Sequence, residues 1–327
     1  YVRSNPEILD ALGNDDDCGI VLDESTRIRS PKAQISKVLI RHTQVEHRAL
    51  LSGLPNPESV LNWFNQMLFL KGEMMGTDNY WAFRSKNFYL PPWSQYDWKP
   101  KKGAMEAIKK EVHSSVFVMT AKQAGIGNKH VYEKRMVDMN QSQREMQRSI
   151  IRDFAYDRRG TVETKWAPVQ QTWLARLAGG FTPDGKDLVS DSKLKALLEI
   201  LKEDLPNGAQ LVVWSRFRSE IKAIKRFLNS KQIKTESMTG GTDRIKRRDF
   251  IKKFDIGKIR VLVIQEKLGM YGLKLSAADC DVFYSNLWDN EVRSQCEQRI
   301  EHLQKKKPLL HIDLMTKDST DEEVVPR

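Results

Sequence analysis

The chain has 327 residues, 40% of them apolar and 30% charged, with a formal net charge of +11 at pH 7. That composition excludes an intrinsically disordered polymer and gives enough length for two domains with real cores. No apolar run approaches the roughly 18–20 residues that cross a bilayer, so no membrane partner is expected, and the positive excess favours a polyanion.

Residues 15–22 pass from three aspartates into an apolar run that reads as a short buried strand ending at Asp23 and Glu24. Residues 47–51 read as a second strand, ending at Ser52 and Gly53. Residues 57–70 read as a helix, with proline at the start and apolar side chains at helical spacing. Residues 1–75 are therefore α/β, with too few strands for a complete doubly wound sheet. Residues 76–185 are aromatic, basic and irregular: 79–93 and 96–102 interleave rings with cations, 142–156 and 169–177 read as helices, and 179–185 as a Gly/Pro linker. From 186 to 325 the α/β pattern returns. Helices are predicted over 192–203, 218–229, 243–254 and 290–303, and strands over 211–214, 260–264, 281–284 and 308–314. Strands separated by helices imply a parallel sheet with helices on its faces.

Two adjacent carboxylates at the end of a buried strand suit two jobs. Asp23 can hold magnesium, and Glu24 can orient or deprotonate an attacking water. Most Asp-Glu pairs are solvated turn residues; here the preceding strand and the later Ser52-Gly53 favour the chemical reading. Cys18, Cys280 and Cys296 lack metal-ligand spacing and read as reduced thiols of an intracellular protein.

Residues 21–32, Val-Leu-Asp-Glu-Ser-Thr-Arg-Ile-Arg-Ser-Pro-Lys, resemble motif II and the basic Pro-Lys segment after it in the Swi/Snf-type ATPases of helicase superfamily two. Residues 51–57 resemble motif III and 191–195 the opening of the second lobe. Gln295, Arg299 and 305–308 resemble motif VI and its sequel. The resemblance implies two RecA-like lobes with parallel sheets flanked by helices, ATP between them and double-stranded DNA held through its backbone. Residues 1–75 would be the C-terminal part of an incomplete first lobe, 76–185 a mainly helical basic and aromatic insert with a linker, and 186–325 the second lobe.

The same resemblance assigns roles. Asp23, Glu24, Gln295, Arg299 and His302 form the catalytic set. Asp23 (through magnesium), Gly272 and Arg299 (as an arginine finger) serve the nucleotide. Ser52, Gly53, Ser215, Arg216, Thr239, Lys274 and Arg247 face the DNA. Three positions depart from the family: Thr26 stands where His is usual, Leu54 where Thr is usual, and His302 where a second Arg is usual. A neutral imidazole cannot replace a permanent bidentate cation. No phosphate-binding loop precedes Asp23, so the chain is expected to lack an N-terminal segment and to be inactive alone. The activity implied is a DNA-stimulated ATPase that translocates on duplex DNA. A non-catalytic DNA-binding scaffold and a strand-separating helicase are the alternatives. A monomer is expected, in a bacterial or phage cytoplasm rather than a nucleus.

Residues 180–187 nearly match a phosphate-binding loop, but Asp187 replaces the hydroxyl that would serve magnesium, Pro183 removes a donor, and a helix rather than a strand leads in. They read as a linker turn. The aromatic-basic residues 79–102 suit either an irregular core with a solvated rim, the favoured reading, or base stacking with single-stranded nucleic acid. The cations of 243–253 read as a solvated helix face.

Overall fold

The structure, a computed structural model, describes residues 18–41, 45–53, 59–94, 97–119, 123, 129–157, 167–301 and 307–324. The chain divides into two compact units, Tyr1–Thr120 and Ala121–Arg327.

In the first unit, strand β1 (Gly19–Leu22) pairs in parallel with β2 (His47–Leu50), from Gly19↔His47 to Leu22↔Leu50. The crossover between them carries a 3-10 turn, Ser25–Ile28, and helix α1 (Gln34–Ile40). A second 3-10 turn, Val60–Asn62, leads into α2 (Trp63–Lys71), so the helix begins later than its proline predicts. Gly72 ends α2 in the left-handed region (φ 82), where a side chain would be strained. Asn79 starts α3 (Tyr80–Asn87) by accepting the Trp81 and Ala82 N–H groups. A short antiparallel hairpin follows, β3 (Phe88–Tyr89) with β4 (Lys99–Pro100), and then α4 (Ala104–His113). Phe64, Met67, Phe83 and Ile108 form the main core of this unit, and Ile20, Ile28, Leu39 and Phe69 a smaller one beneath the strands.

The second unit is built on β5 (His130–Val137), α5 (Gln141–Asp157), α6 (Ala167–Ala178), α7 (Ser192–Glu199), β6 (Leu211–Ser215), α8 (Arg218–Ser230), β7 (Thr235–Met238), α9 (Arg244–Asp255), β8 (Val261–Gln265), β9 (Cys280–Phe283), α10 (Asn290–Gln298), β10 (Leu309–Thr316) and α11 (Asp321–Val324). Its six strands are all parallel, in the order β5-β10-β9-β6-β8-β7. Period-two alternation sends Leu211, Val213, Val261, Val263 and Val282 to one face, against Leu197, Ile221, Ile224 and Leu228. Val212, Trp214, Leu262, Ile264 and Phe283 go to the other, against Phe254, Cys296 and Ile300. Both faces are covered, which is why the central strands are continuous apolar runs.

Three differences from the sequence reading stand out. Strand β5 lies within the stretch read as insert, yet it pairs along its whole length with β10. Its sequence, His-Val-Tyr-Glu-Lys-Arg-Met-Val, is charged because it is an edge strand with one side open to water. Strand β7, Thr-Glu-Ser-Met, is the opposite edge and escaped notice for the same reason. The helix predicted over 192–203 is α-helical only to Glu199 and then widens into a π turn, Ile200–Asp204.

Candidate functional site

In the first unit the predicted residues gather at the carboxyl ends of two adjacent parallel strands. β1 runs out into Asp23-Glu24 and β2 into Ser52-Gly53. The ladder continues past both ends: Leu51 N–H donates to Leu22 O at 2.9 Å, and Ser25 N–H to Leu51 O at 3.0 Å. Below the turn, buried Ser25 donates its hydroxyl to Gln66 Oε1 at 2.8 Å, and Gln66 is fixed in turn by Asn62 O. Ser36 Oγ holds Ile28 O from α1. Thr26, at the position where a histidine is usual, is buried on the core side. Glu24 takes a left-handed conformation (φ 52, ψ 56) that costs energy for any residue with a side chain. Its N–H donates to Asp23 Oδ1 at 2.9 Å. Asp23 is exposed and Glu24 half-buried.

No group of three or more His, Cys, Asp or Glu that could hold a metal occurs among the described residues. Magnesium does not require one. It is commonly held by one or two carboxylates, with water and substrate phosphates completing the octahedron. An exposed Asp23, fixed through only one of its oxygens, fits that regime.

In the second unit the strand ends also carry the predicted polar residues. Ser215 and Arg216 leave β6, Thr239 leaves β7 and Gln265 ends β8. Gly240 N–H donates to Gln265 Oε1 at 3.1 Å, and Thr239 N–H to Thr242 Oγ1 at 2.9 Å. Arg247, on the first turn of α9, donates to Thr239 O at 3.2 Å and Gly240 O at 3.0 Å. Ser215, Arg216, Thr239 and Arg247 thus share one edge of the sheet. Arg216 N–H is held by Ser285 Oγ at 2.9 Å. Burial pushes the Arg216 guanidinium below its ordinary range, with Glu266 and Glu220 opposing that push.

Gln295 and Arg299 lie at the end of α10. Arg299 donates to Gln295 Oε1 and to Gly269 O. Gly269 is part of the 3-10 segment Glu266–Tyr271 that follows β8, and it packs so closely on α10 that a Cβ there would collide with Cys296 Sγ. Gly272 ends that segment with φ 63, so its glycine is needed for backbone conformation rather than for space. Arg299, Gln295 and Gly272 therefore belong to one assembly. Lys274 does not join Thr239: it is exposed, and its charge acts on Asp255 at the far end of α9, about 16–17 Å along that helix from its first residue. His302 and Leu54 lie outside the described residues.

Four residues of this edge escaped the sequence reading: Glu220, Gln265, Glu266 and Ser285. Glu220 Oε2 accepts from Ser215 Oγ at 2.7 Å, from Ser285 Oγ, and from Phe217 N–H at 3.3 Å. Burial raises its pKa, opposed by those hydrogen bonds. Burial likewise pushes Glu266 up to about 8. A signal for Glu220 exists in the sequence, since a glutamate at the third position of a helix commonly caps its start.

The near-match to a phosphate loop at 180–187 makes no cradle. Helix α6 leads into it, and its donors are used internally: Gly185 N–H to Thr182 O at 2.8 Å, Lys186 N–H to Asp184 Oδ1 at 3.1 Å, and Asp187 N–H to Thr182 Oγ1 at 3.1 Å. The cavity of about 910 Å³ beside it is lined by Arg176, Phe181, Lys186, Lys222 and Arg226, away from Arg299 and Gly272. Size alone does not make it the nucleotide site.

Residues 192–303 match the helicase conserved C-terminal domain. A stretch of 154 residues, 46% of this chain, is 28% identical to helicase swr1 of Schizosaccharomyces pombe. A stretch of 141 residues, 43% of the chain, is 27% identical to the chromatin-remodeling ATPase INO80 of Mycosarcoma maydis. A stretch of 139 residues, 42% of the chain, is 30% identical to the DNA repair protein RAD5 of Yarrowia lipolytica. These stretches span only 12%, 7% and 14% of those proteins. Among solved structures, the Sulfolobus solfataricus SWI2/SNF2 ATPase core in complex with dsDNA superposes with a TM-score of 0.51 at 18% identity, over 97% of this chain and 68% of that one. At that identity the likeness concerns the fold, which is the RecA-like α/β type expected. The expectation of a bacterial or phage cytoplasm is overturned: the three curated relatives are eukaryotic proteins, one named for chromatin remodelling and one for DNA repair, which points to the nucleus.

Proposed function

We propose that this chain, which belongs to the Swi/Snf-type ATPases of helicase superfamily two, works in an ATP-driven motor that moves along double-stranded DNA. The observation that carries the reading is the Ser25–Leu51 hydrogen bond, which holds Asp23-Glu24 and Ser52-Gly53 on neighbouring strand ends. Ligands of open parallel sheets bind at that end of the strands. A change at the carboxylates is felt directly by the segment that would touch DNA.

Asp23 would hold magnesium, which when bound neutralises charge on the phosphate oxygens. Glu24 would align the attacking water and accept its proton. Its left-handed backbone breaks the strand direction at this point, and its position at a turn held by the Ser25–Leu51 bond limits the geometries it can take. Arg299 would supply a cation for charge that develops on the transferred phosphoryl group. Gln295 orients Arg299 by accepting its N–H. Thr239 and the exposed Gly240-Gly241 segment would meet the DNA backbone, which carries no sequence information, while Ser215, fully buried with its hydroxyl on Glu220, would support that edge from behind.

Duplex binding and magnesium-dependent ATP hydrolysis, measured on the full-length protein and on its Glu24→Gln and Arg299→Ala forms, test the proposal. Duplex binding should survive both substitutions, and hydrolysis should survive neither. Undiminished hydrolysis in Glu24→Gln, or no duplex binding at low salt, overturns it. Displacement of a third strand without separation of the duplex marks a translocase; strand separation marks a helicase.

A further inference from the structure

The rings of the α3–β4 region divide into two sets. Phe83 and Phe88 are buried with Phe64 and Ile108. Trp81 is 50% exposed, Tyr89 47% and Trp93 83%. An irregular core with a solvated rim accounts for the first set; the second sets three open rings among the cations of one short stretch, where exposed apolar side chains can serve a binding surface. Cations are placed among these rings. The Arg84 guanidinium stands 4.0 Å from the Trp98 ring centroid and 4.5 Å from that of Trp81, and Lys32 Nζ stands 5.7 Å from the Trp81 centroid. Residues 79–102 hold five cations (Arg84, Lys86, Lys99, Lys101, Lys102) against one carboxylate, Asp97.

We propose that Lys32, Trp81, Arg84, Tyr89, Trp93 and Trp98 form a binding surface for unpaired nucleotides, with bases stacking on the open rings and phosphates meeting the surrounding cations. Chemistry selects the single strand over the duplex. Base faces in a duplex are covered by their neighbours, whereas an unpaired strand offers a π-face at every nucleotide. Arg84 also stiffens the platform, since a guanidinium between two indoles fixes both rings before any ligand arrives. The inference goes beyond the duplex motor and does not depend on it.

The test is binding of a fluorescein-labelled 20-nucleotide oligothymidylate to the whole chain, beside a duplex of the same length and an abasic oligomer of the same length. The unsubstituted protein should bind the oligothymidylate at least about fivefold more tightly than the abasic strand, as stacking of even one base predicts. Trp93→Ala and Trp81→Ala should each lose about fivefold or more for oligothymidylate, with duplex affinity and melting temperature unchanged. Equal affinity for the abasic strand overturns the proposal and needs no variant. So does an equal loss for duplex and single strand in a Trp93→Ala protein that melts normally, and so does failure to bind the oligothymidylate at low salt. Duplex binding lost with oligothymidylate binding kept would instead remove the motor reading and leave this one standing.

Discussion

Glu220 holds its carboxylate against the backbone of Gly179, so closely that a Cβ at position 179 would collide with Oε1. Its other oxygen collects the hydroxyls of Ser215 and Ser285 and the Phe217 N–H. One buried carboxylate thus ties the ends of β6 and β9 to the start of α8, and the turn after α6 leaves room for it by having no side chain. Gly179 O adds to the same junction by accepting the Tyr284 hydroxyl at 3.2 Å.

Gly179→Ala should therefore destabilise the second unit by about 1–3 kcal/mol, the range for overpacking a filled site. The cost should shrink markedly when Glu220 is already alanine, because the colliding oxygen is gone. Urea midpoints of the two single variants and the double variant measure that coupling. Simple addition of the two single costs would mean that the collision is relieved elsewhere.

Glu266 supplies a pH dependence whose sign can be worked out. Burial pushes its pKa up to about 8 from the ordinary 4.5, and its Oε2 has no hydrogen-bond partner. The folded state therefore keeps a proton that the unfolded chain releases above about pH 4.5, so stability falls as pH rises from there to about 8. Glu266→Gln cannot ionise and should remove that slope. Its melting temperature should match the parent near pH 4.5 and exceed it increasingly towards pH 8, the stability gap widening by up to about 1.4 kcal/mol for each pH unit in between. Parallel melting curves of the two proteins across this range would show that Glu266 finds a compensating charge, with Arg293 the strongest source and Arg216 a weaker one.

Much of this was legible in the sequence because it depended on order and on apolar content. The central strands β6, β8 and β9 are buried on both faces and so spell themselves as Leu-Val-Val-Trp, Val-Leu-Val-Ile and Cys-Asp-Val-Phe. The edge strands β5 and β7 are half solvated and carry no such mark. At the candidate site, adjacent motif residues such as Asp23 and Glu24 were readable, while partners distant in sequence were not. Nothing near His311 announces that it sits buried between Asp281, 2.7 Å from its Nδ1, and His130, 2.8 Å from its Nε2, with Trp214 donating to the same aspartate. Lys274 shows the same limit: its motif gave no sign that the chain, returning from Gly272 to β9, sets this exposed lysine where its charge acts on Asp255.

Arg247 offers a test of how the basic helix contributes to DNA binding. Duplex affinity should fall log-linearly with salt if phosphates are tracked. A free surface cation replaced by glutamine would reduce that slope by about 1. Arg247 is not free, because its Nη2 is spent on two carbonyls of the 239–242 turn. Arg247→Gln should weaken duplex binding by loosening the turn while changing the salt slope by clearly less than 1. Titrations between about 50 and 200 mM salt separate the cases, and a slope reduced by a full 1 would make Arg247 a direct phosphate contact.

The two carboxylates after β1 should fail in different ways when neutralised. Asp23 is exposed and fixed through one oxygen, as a magnesium ligand needs to be, whereas Glu24 is half-buried on a turn that the Ser25–Leu51 bond holds in place. Asp23→Asn weakens the hold on a hard cation without removing the water-activating group, so hydrolysis should recover in part as magnesium is raised. Glu24→Gln keeps the cation site and removes the proton acceptor. Its rate should fall by roughly 10²–10⁴, the range for loss of a general base, at every magnesium concentration, with nucleotide binding retained. Initial rates across a magnesium titration, beside nucleotide affinity, distinguish the two. If magnesium rescues Glu24→Gln and not Asp23→Asn, the roles are reversed. If it rescues neither and both lose nucleotide affinity, the pair acts through the turn rather than through chemistry. Ser25→Ala should then reproduce the defect, because it removes the hydroxyl that ties the turn to Gln66 and leaves both carboxylates in place.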